Sequence, residues 1–184
     1  RDRIGPRDLH AVRMLAERAA RAFGIELFEL YLSPTWQGPA RVFPGDPPAI
    51  VAHTSFADLP EPELFFAFGR LFCRMALGLT WLDELPPEQV DGLLLASLRA
   101  VVPQFGSGEI SNAREVAVQN FTAPVNRAIG RRQKKMIEEV APNLSAQYDP
   151  TTFVLAARRS EWRAAYLLTG DLVASADYLR RTEP

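Results

Sequence analysis

Histidine and cysteine are nearly missing from this chain: His10, His53 and Cys73 are the whole set. A lone cysteine excludes an intrachain disulfide and suits a reducing compartment, so a cytoplasmic setting is the expectation. His10 and His53 lie far apart in sequence, with no Cys or Asp array beside either, so they do not make a metal-ligand set. An excess of one charge is also lacking, since Lys plus Arg number 21 and Asp plus Glu 22, a formal net charge of −1. No global field therefore draws the chain to nucleic acid or to an anionic membrane, and any basic patch must be local. No run of about 18 uninterrupted apolar residues occurs, nor a charged leader followed by an apolar run, so neither a helical membrane span nor a signal peptide is expected. Internal repeats and low-complexity segments are absent too.

What is present is enough apolar material for a full-sized core: 47% of the 184 residues are hydrophobic. One globular domain over 1–184 is the expectation. The chain begins at Arg1 rather than methionine, which suggests a domain excised from a larger protein or a processed chain.

Helical spacing of Leu9, Val12, Leu15, Ala16, Ala19 and Phe23 predicts a first helix over 6–23, with Gly24 at its C-terminal cap. Ile25 to Leu32 alternates apolar residues with Glu26 and Glu29, as a half-buried strand would. Glycine and proline crowd 37–48, leaving room only for a short edge strand at Arg41-Val42-Phe43. A further strand follows at 49–53. Pro86-Pro87 opens a helix that Pro103 closes, and Gly106-Ser107-Gly108 reads as a surface loop, since it lacks the apolar strand-to-helix flanks of a nucleophile elbow. Helices are predicted over 112–121, 123–129, 131–140, 150–169 and 171–181, with Asp149 and the Gly170-Asp171 pair as capping residues. The fold class is α+β and mostly α-helical: a small N-terminal sheet, a central helix, then a helical subdomain.

The central helix, from about Pro60 to Gly78, poses the main chemical question. Leu64, Phe65, Phe68, Leu71, Phe72 and Met75 make it a core element, yet Arg70 and Arg74 stand four residues apart on one of its faces. Two buried cations need partners. Cys73, next to them, has cationic neighbours that favour a thiolate and an apolar helix that favours an inert thiol; the second reading is preferred.

The element order and this helix together resemble the HtpX-type gluzincin metallopeptidases. In that family the long helix carries Gly-His-Glu-x-x-His, two histidines holding zinc and the glutamate serving as base, and a later Glu-x-x-Ala-Asp supplies the third ligand. Here 69–74 reads Gly-Arg-Leu-Phe-Cys-Arg and 160–165 reads Ser-Glu-Trp-Arg-Ala-Ala in the corresponding places. Arg70 and Arg74 replace both histidines, and a protonated guanidinium has no lone pair for a metal. Leu71 replaces the base, and Ala165 stands where the family has Asp. Only Glu161 keeps its identity. The resemblance implies a peptidase-like domain without zinc or catalysis, of a kind also found in some bacterial tetratricopeptide-repeat proteins. It further implies that Arg70, Arg74 and Glu161 could fill the zinc site as an ionic cluster. The alternative is that the arginines extend from a partly exposed helix to solvent or to Glu63 or Glu84.

Two surfaces are candidates for partner binding. Trp36 and Phe43 flank the proline-rich segment that lies near the substrate cleft in active relatives, unless Trp36 folds back on the sheet. Arg127, Arg131, Arg132, Lys134 and Lys135 form the one local basic concentration. Glu138 and Glu139 partly neutralise that face and no aromatic residue is interleaved for base stacking, so an acidic protein surface suits it better than nucleic acid. The expected function is a non-catalytic interaction or scaffolding module with a protein partner and no cofactor. The alternatives are a hydrolase whose active site is not recognised, or a weak nucleic-acid binder using 127–135.

Overall fold

The first helix forms where the apolar positions repeat, but it starts late. In the computed structural model, which describes residues 2–182, α1 spans Ala11–Ala22. Residues before it turn instead, with the Gly5 N–H donating to Asp8 Oδ2 at 2.6 Å, and Leu9 is 95% exposed rather than part of a helical face. The His10 ring caps the helix by accepting the Val12 N–H. At its other end Gly24 takes φ +67, and the Ile25 N–H closes back on the Ala20 carbonyl, a left-handed cap that glycine adopts without Cβ strain.

Strand β1 (Glu29–Ser33) is shorter than the alternation suggests, because Ile25 to Phe28 emerge from that cap as a connection in which Leu27 is exposed. β3 (Ala49–His53) runs parallel to β1, and β2 (Arg41–Phe43) pairs antiparallel to β3, giving the order β1-β3-β2. The outer side of β1 is covered by residues 2–4: Ile4 N–H donates to Leu30 O and Leu32 N–H to Asp2 O, both at 2.8 Å. The inward set of Leu30, Val42, Ile50 and Ala52 is fully or nearly fully buried.

Helix α2 (Glu61–Ala76) fills the middle of this layer. Pro62 near its start needs no hydrogen-bond partner, Glu61 and Glu63 sit at its positive end, and Gly78 with φ +66 ends it. Phe66, Phe68 and Phe72 are its most deeply buried side chains. Full burial of each is worth about 1.5–3 kcal/mol relative to exposure. Phe72 meets Phe28 edge to face at 4.9 Å, Phe68 meets Phe56, and Phe66 meets Tyr178.

The described residues gather into two compact units, 2–83 with 157–182, and Glu84–Ala156. The first unit also holds residues 157–169 of α6 (Pro150–Thr169) and α7 (Leu172–Thr182), which Asp171 caps by accepting the Ala174 N–H.

In the second unit, α3 (Pro87–Arg99) lies on α4 (Asn112–Ala128) through a small core of Leu95, Ala96, Val118 and Val125. Two arginine forks tie these helices: Arg114 to Asp91 at 2.7 and 2.8 Å, and Arg99 to Glu115 at 2.6 and 2.8 Å. α4 joins the two helices expected at 112–121 and 123–129. Pro124 removes one backbone donor, but burial of Val118 and Val125 on either side holds the helix together, and the Thr122 hydroxyl donates to the Val118 carbonyl. α5 (Arg131–Val140) buries no residue. The architecture is thus α+β and mostly helical, with its sheet in the first third of the chain. No helix among the described residues is long and apolar enough to cross a membrane.

Candidate functional site: an arginine held between two carboxylates

Arg74 stands in the last turn of α2, with only 8% of its surface exposed. Such a cation costs several kcal/mol to desolvate unless it is fully paired. Its Nε donates to Glu161 Oε1 at 2.7 Å and its Nη2 to Glu161 Oε2 at 2.6 Å, a two-bond fork from α2 to α6. Its Nη1 donates to Asp83, in the 3-10 turn Thr80–Asp83 that follows α2. All three nitrogens of the guanidinium are therefore engaged by carboxylates. Burial alone would depress its pKa, but the hydrogen bonds and charge of Glu161, joined by Asp83, outweigh that cost and hold it above the usual arginine value.

Glu161 is fully buried on α6, one turn before Ala165, where that helix approaches α2. Gly69 makes this approach possible: a Cβ on it would lie 3.0 Å from the Ala165 Cα. The small residue of the 69–74 stretch thus lets the two helices come within reach of one fork.

Arg70, one turn earlier, places its guanidinium carbon 5.9 Å from the centre of the Tyr178 ring. The observed fork thus joins Glu161 to Arg74, while Arg70 faces Tyr178 across the same cavity. Leu71 is buried between them in the core. Glu63, one of the alternative acids, is bonded to Arg181 instead. Asp83 escapes sequence reasoning; its only signal is an acid nine positions after Arg74, in a turn that brings it back to the helix end.

A cavity of about 720 Å3 opens beside the fork, lined by Arg41, Arg70, Arg74, Arg158, Trp36 and Tyr178 among others. Trp36 is half-buried, not displayed: its ring meets Phe43 edge to face at 5.6 Å and its Nε1 donates to the Pro39 carbonyl. Phe43 is half-buried too, under Arg41, so the pair is a wall rather than two protruding aromatics.

Arg127, Arg131, Arg132, Lys134 and Lys135 belong to the second unit and are all exposed, along the end of α4 and on α5. Cys73 is 6% exposed; burial first, then the Glu161 carboxylate, pushes its thiol up against the opposing pull of Arg74. That favours an inert thiol. No three His, Cys, Asp or Glu side chains among the described residues come together as a metal-binding group.

No protein-family model matches the chain, and neither the curated proteins nor the solved structures give a match.

Proposed function

We propose that this chain is an inactive gluzincin-like domain serving as a protein-interaction or scaffolding module, within a larger cytoplasmic bacterial protein. One observation carries the reading: Arg74 on α2 meets Glu161 on α6 through two charged hydrogen bonds. In the HtpX-type pattern the second histidine and the later glutamate occupy these same two places and converge on zinc. A guanidinium between the helices takes over the cation's structural part without its chemistry. The donor set does not fit zinc, because Arg70 and Arg74 offer only N–H groups and Leu71 offers no base for a metal-bound water. The antiparallel edge strand β2 beside the cavity also agrees with the reading, since Arg41 lines both.

The test is elemental analysis of the purified protein together with a casein-cleavage assay. Neither stoichiometric zinc nor cleavage is expected. Bound zinc with proteolysis would overturn the reading in favour of a hydrolase.

A further inference from the structure

Helix α5 (Arg131–Val140) stands almost alone in the second unit: it buries no residue, and the element it meets most is the 3-10 turn Ala141–Asn143 that continues it. Its 10 residues are fewer than the roughly 12–15 that an isolated helix needs to hold itself in water. Its own charges oppose it too. Arg131, Arg132, Lys134 and Lys135 fill the half nearest the positive end of the helix dipole, while Glu138 and Glu139 stand near the negative end. None of these charges is paired with another described residue.

At about 100° per residue, Gln133, Met136, Ile137 and Val140 share one face. Met136 is 58% exposed and Val140 50%, so this stripe is displayed rather than packed. Lys134 and Glu138 border it on one flank, Arg132 and Glu139 on the other. A partner that covers the stripe must therefore be acidic where α5 is basic and basic where α5 is acidic. A uniformly acidic protein surface fails the second half of that demand, and so does an anionic membrane. An inverted copy of α5 meets both halves. When two such helices run antiparallel about a two-fold axis near Met136, Lys134 of each lies opposite Glu138 of the other, and Arg132 opposite Glu139. The apolar stripes then close on one another, and each positive helix end meets a negative one. A parallel pair would instead gather the cations of both copies at one end.

We propose that α5 is a self-complementary docking surface, through which two copies of this chain pair antiparallel as a two-fold dimer. One short helix from each side makes a small interface, so the association is weak and reversible. This pairing goes beyond the reading of α2 and α6 above and stands without it, because α5 belongs to the second unit.

The test is sedimentation equilibrium of the whole chain at low salt, over about 10 to 500 µM. A monomer–dimer equilibrium is expected, weakened as salt is raised. Lys134→Glu and Glu138→Lys, both at exposed positions, should each keep the melting temperature of the dilute protein while weakening self-association tenfold or more. Mixing the two variants is the decisive arm, because Lys134→Glu in one copy and Glu138→Lys in the other restore opposite charges across the pair. The mixture should associate at least tenfold more tightly than either variant alone.

A monomer at every concentration would overturn the proposal. So would a dimer indifferent to both substitutions, which would place the contact elsewhere on the chain. A mixture no tighter than its components would overturn the antiparallel pairing, and masses that climb past the dimer would overturn its two-fold closure. Retention on phosphatidylserine vesicles, or binding of poly-glutamate, by a chain that stays monomeric would assign the helix to those occupants instead.

Discussion

Arg74 and Glu161, on different helices and 87 positions apart, share two near-parallel N–H to oxygen bonds of 2.7 and 2.6 Å in a buried setting. Such a pair contributes little net stability over a well-packed apolar pair, because desolvation cancels much of the attraction. Breaking one half is another matter, since it strands the other charge.

Glu161→Ala is expected to destabilise the first unit by about 3–5 kcal/mol, leaving Arg74 with Asp83 as its remaining acid. Urea denaturation reads the loss. The paired replacement R74M with E161L should recover much of it, because no buried charge then lacks its partner. A melting temperature unaltered by Glu161→Ala would remove the fork from any account of how α2 and α6 are held.

Gly69→Val should destabilise by about 1–3 kcal/mol or more, through overpacking against the Ala165 backbone. Gly92→Ala meets a tighter obstacle in the second unit, its Cβ falling 2.7 Å from the Ala117 carbonyl oxygen between α3 and α4. Gly78→Ala is a useful contrast, since nothing lies within 4 Å there and only its positive φ is strained. Thermal melts of the three variants would separate steric from conformational cost.

Acid should weaken the fold through carboxylates outside the fork. Hydrogen bonds from Arg99 hold Glu115 below the ordinary range, and the Thr152 hydroxyl with the Thr151 and Thr152 N–H groups does the same for Asp149 at the start of α6. A carboxylate depressed by folding adds stability that is complete above its unfolded pKa and is lost as pH falls through the folded one. Stability should therefore decline below about pH 4, and Glu115→Gln should flatten part of that decline. Urea midpoints across the acid range check it. A variant curve parallel to the parent at every pH would contradict the role given to Glu115.

Arg70→His combined with Arg74→His should create a zinc site with Glu161, if these three positions descend from a gluzincin ligand set. The variant is expected to melt low without metal, because Glu161 has lost its cation, and to rise when zinc is added. A folded variant indifferent to zinc would count against the proposed ancestry of the site.

The central helix was legible because nearly every position from Leu64 to Phe72 is apolar, and its ends carry proline and glycine. The short edge strand followed from local breakers, whereas the pairing order β1-β3-β2 is set by tertiary packing. The start of α1 and of β1 did not, since Asp8 folding onto Gly5 and the cap at Gly24 are local hydrogen-bond choices that periodicity does not register. The break expected between 121 and 123 fails in the opposite sense, because burial of Val118 and Val125 carries one helix through despite the donor missing at Pro124. At the site, spacing put Arg70 and Arg74 on one face. Only tertiary packing decided that Arg74 takes both Glu161 and Asp83 while Arg70 turns to Tyr178.

The three-stranded sheet is closed on one side by residues 2–4, whose backbone completes the ladder along β1. A further strand, from another molecule or another copy, therefore meets an edge that is already paired along β1. β2, at the other end of the strand order, carries Arg41 to the cavity, so the two ends of the sheet differ: one is occupied by the chain's own residues 2–4 and the other borders the arginine-lined cleft.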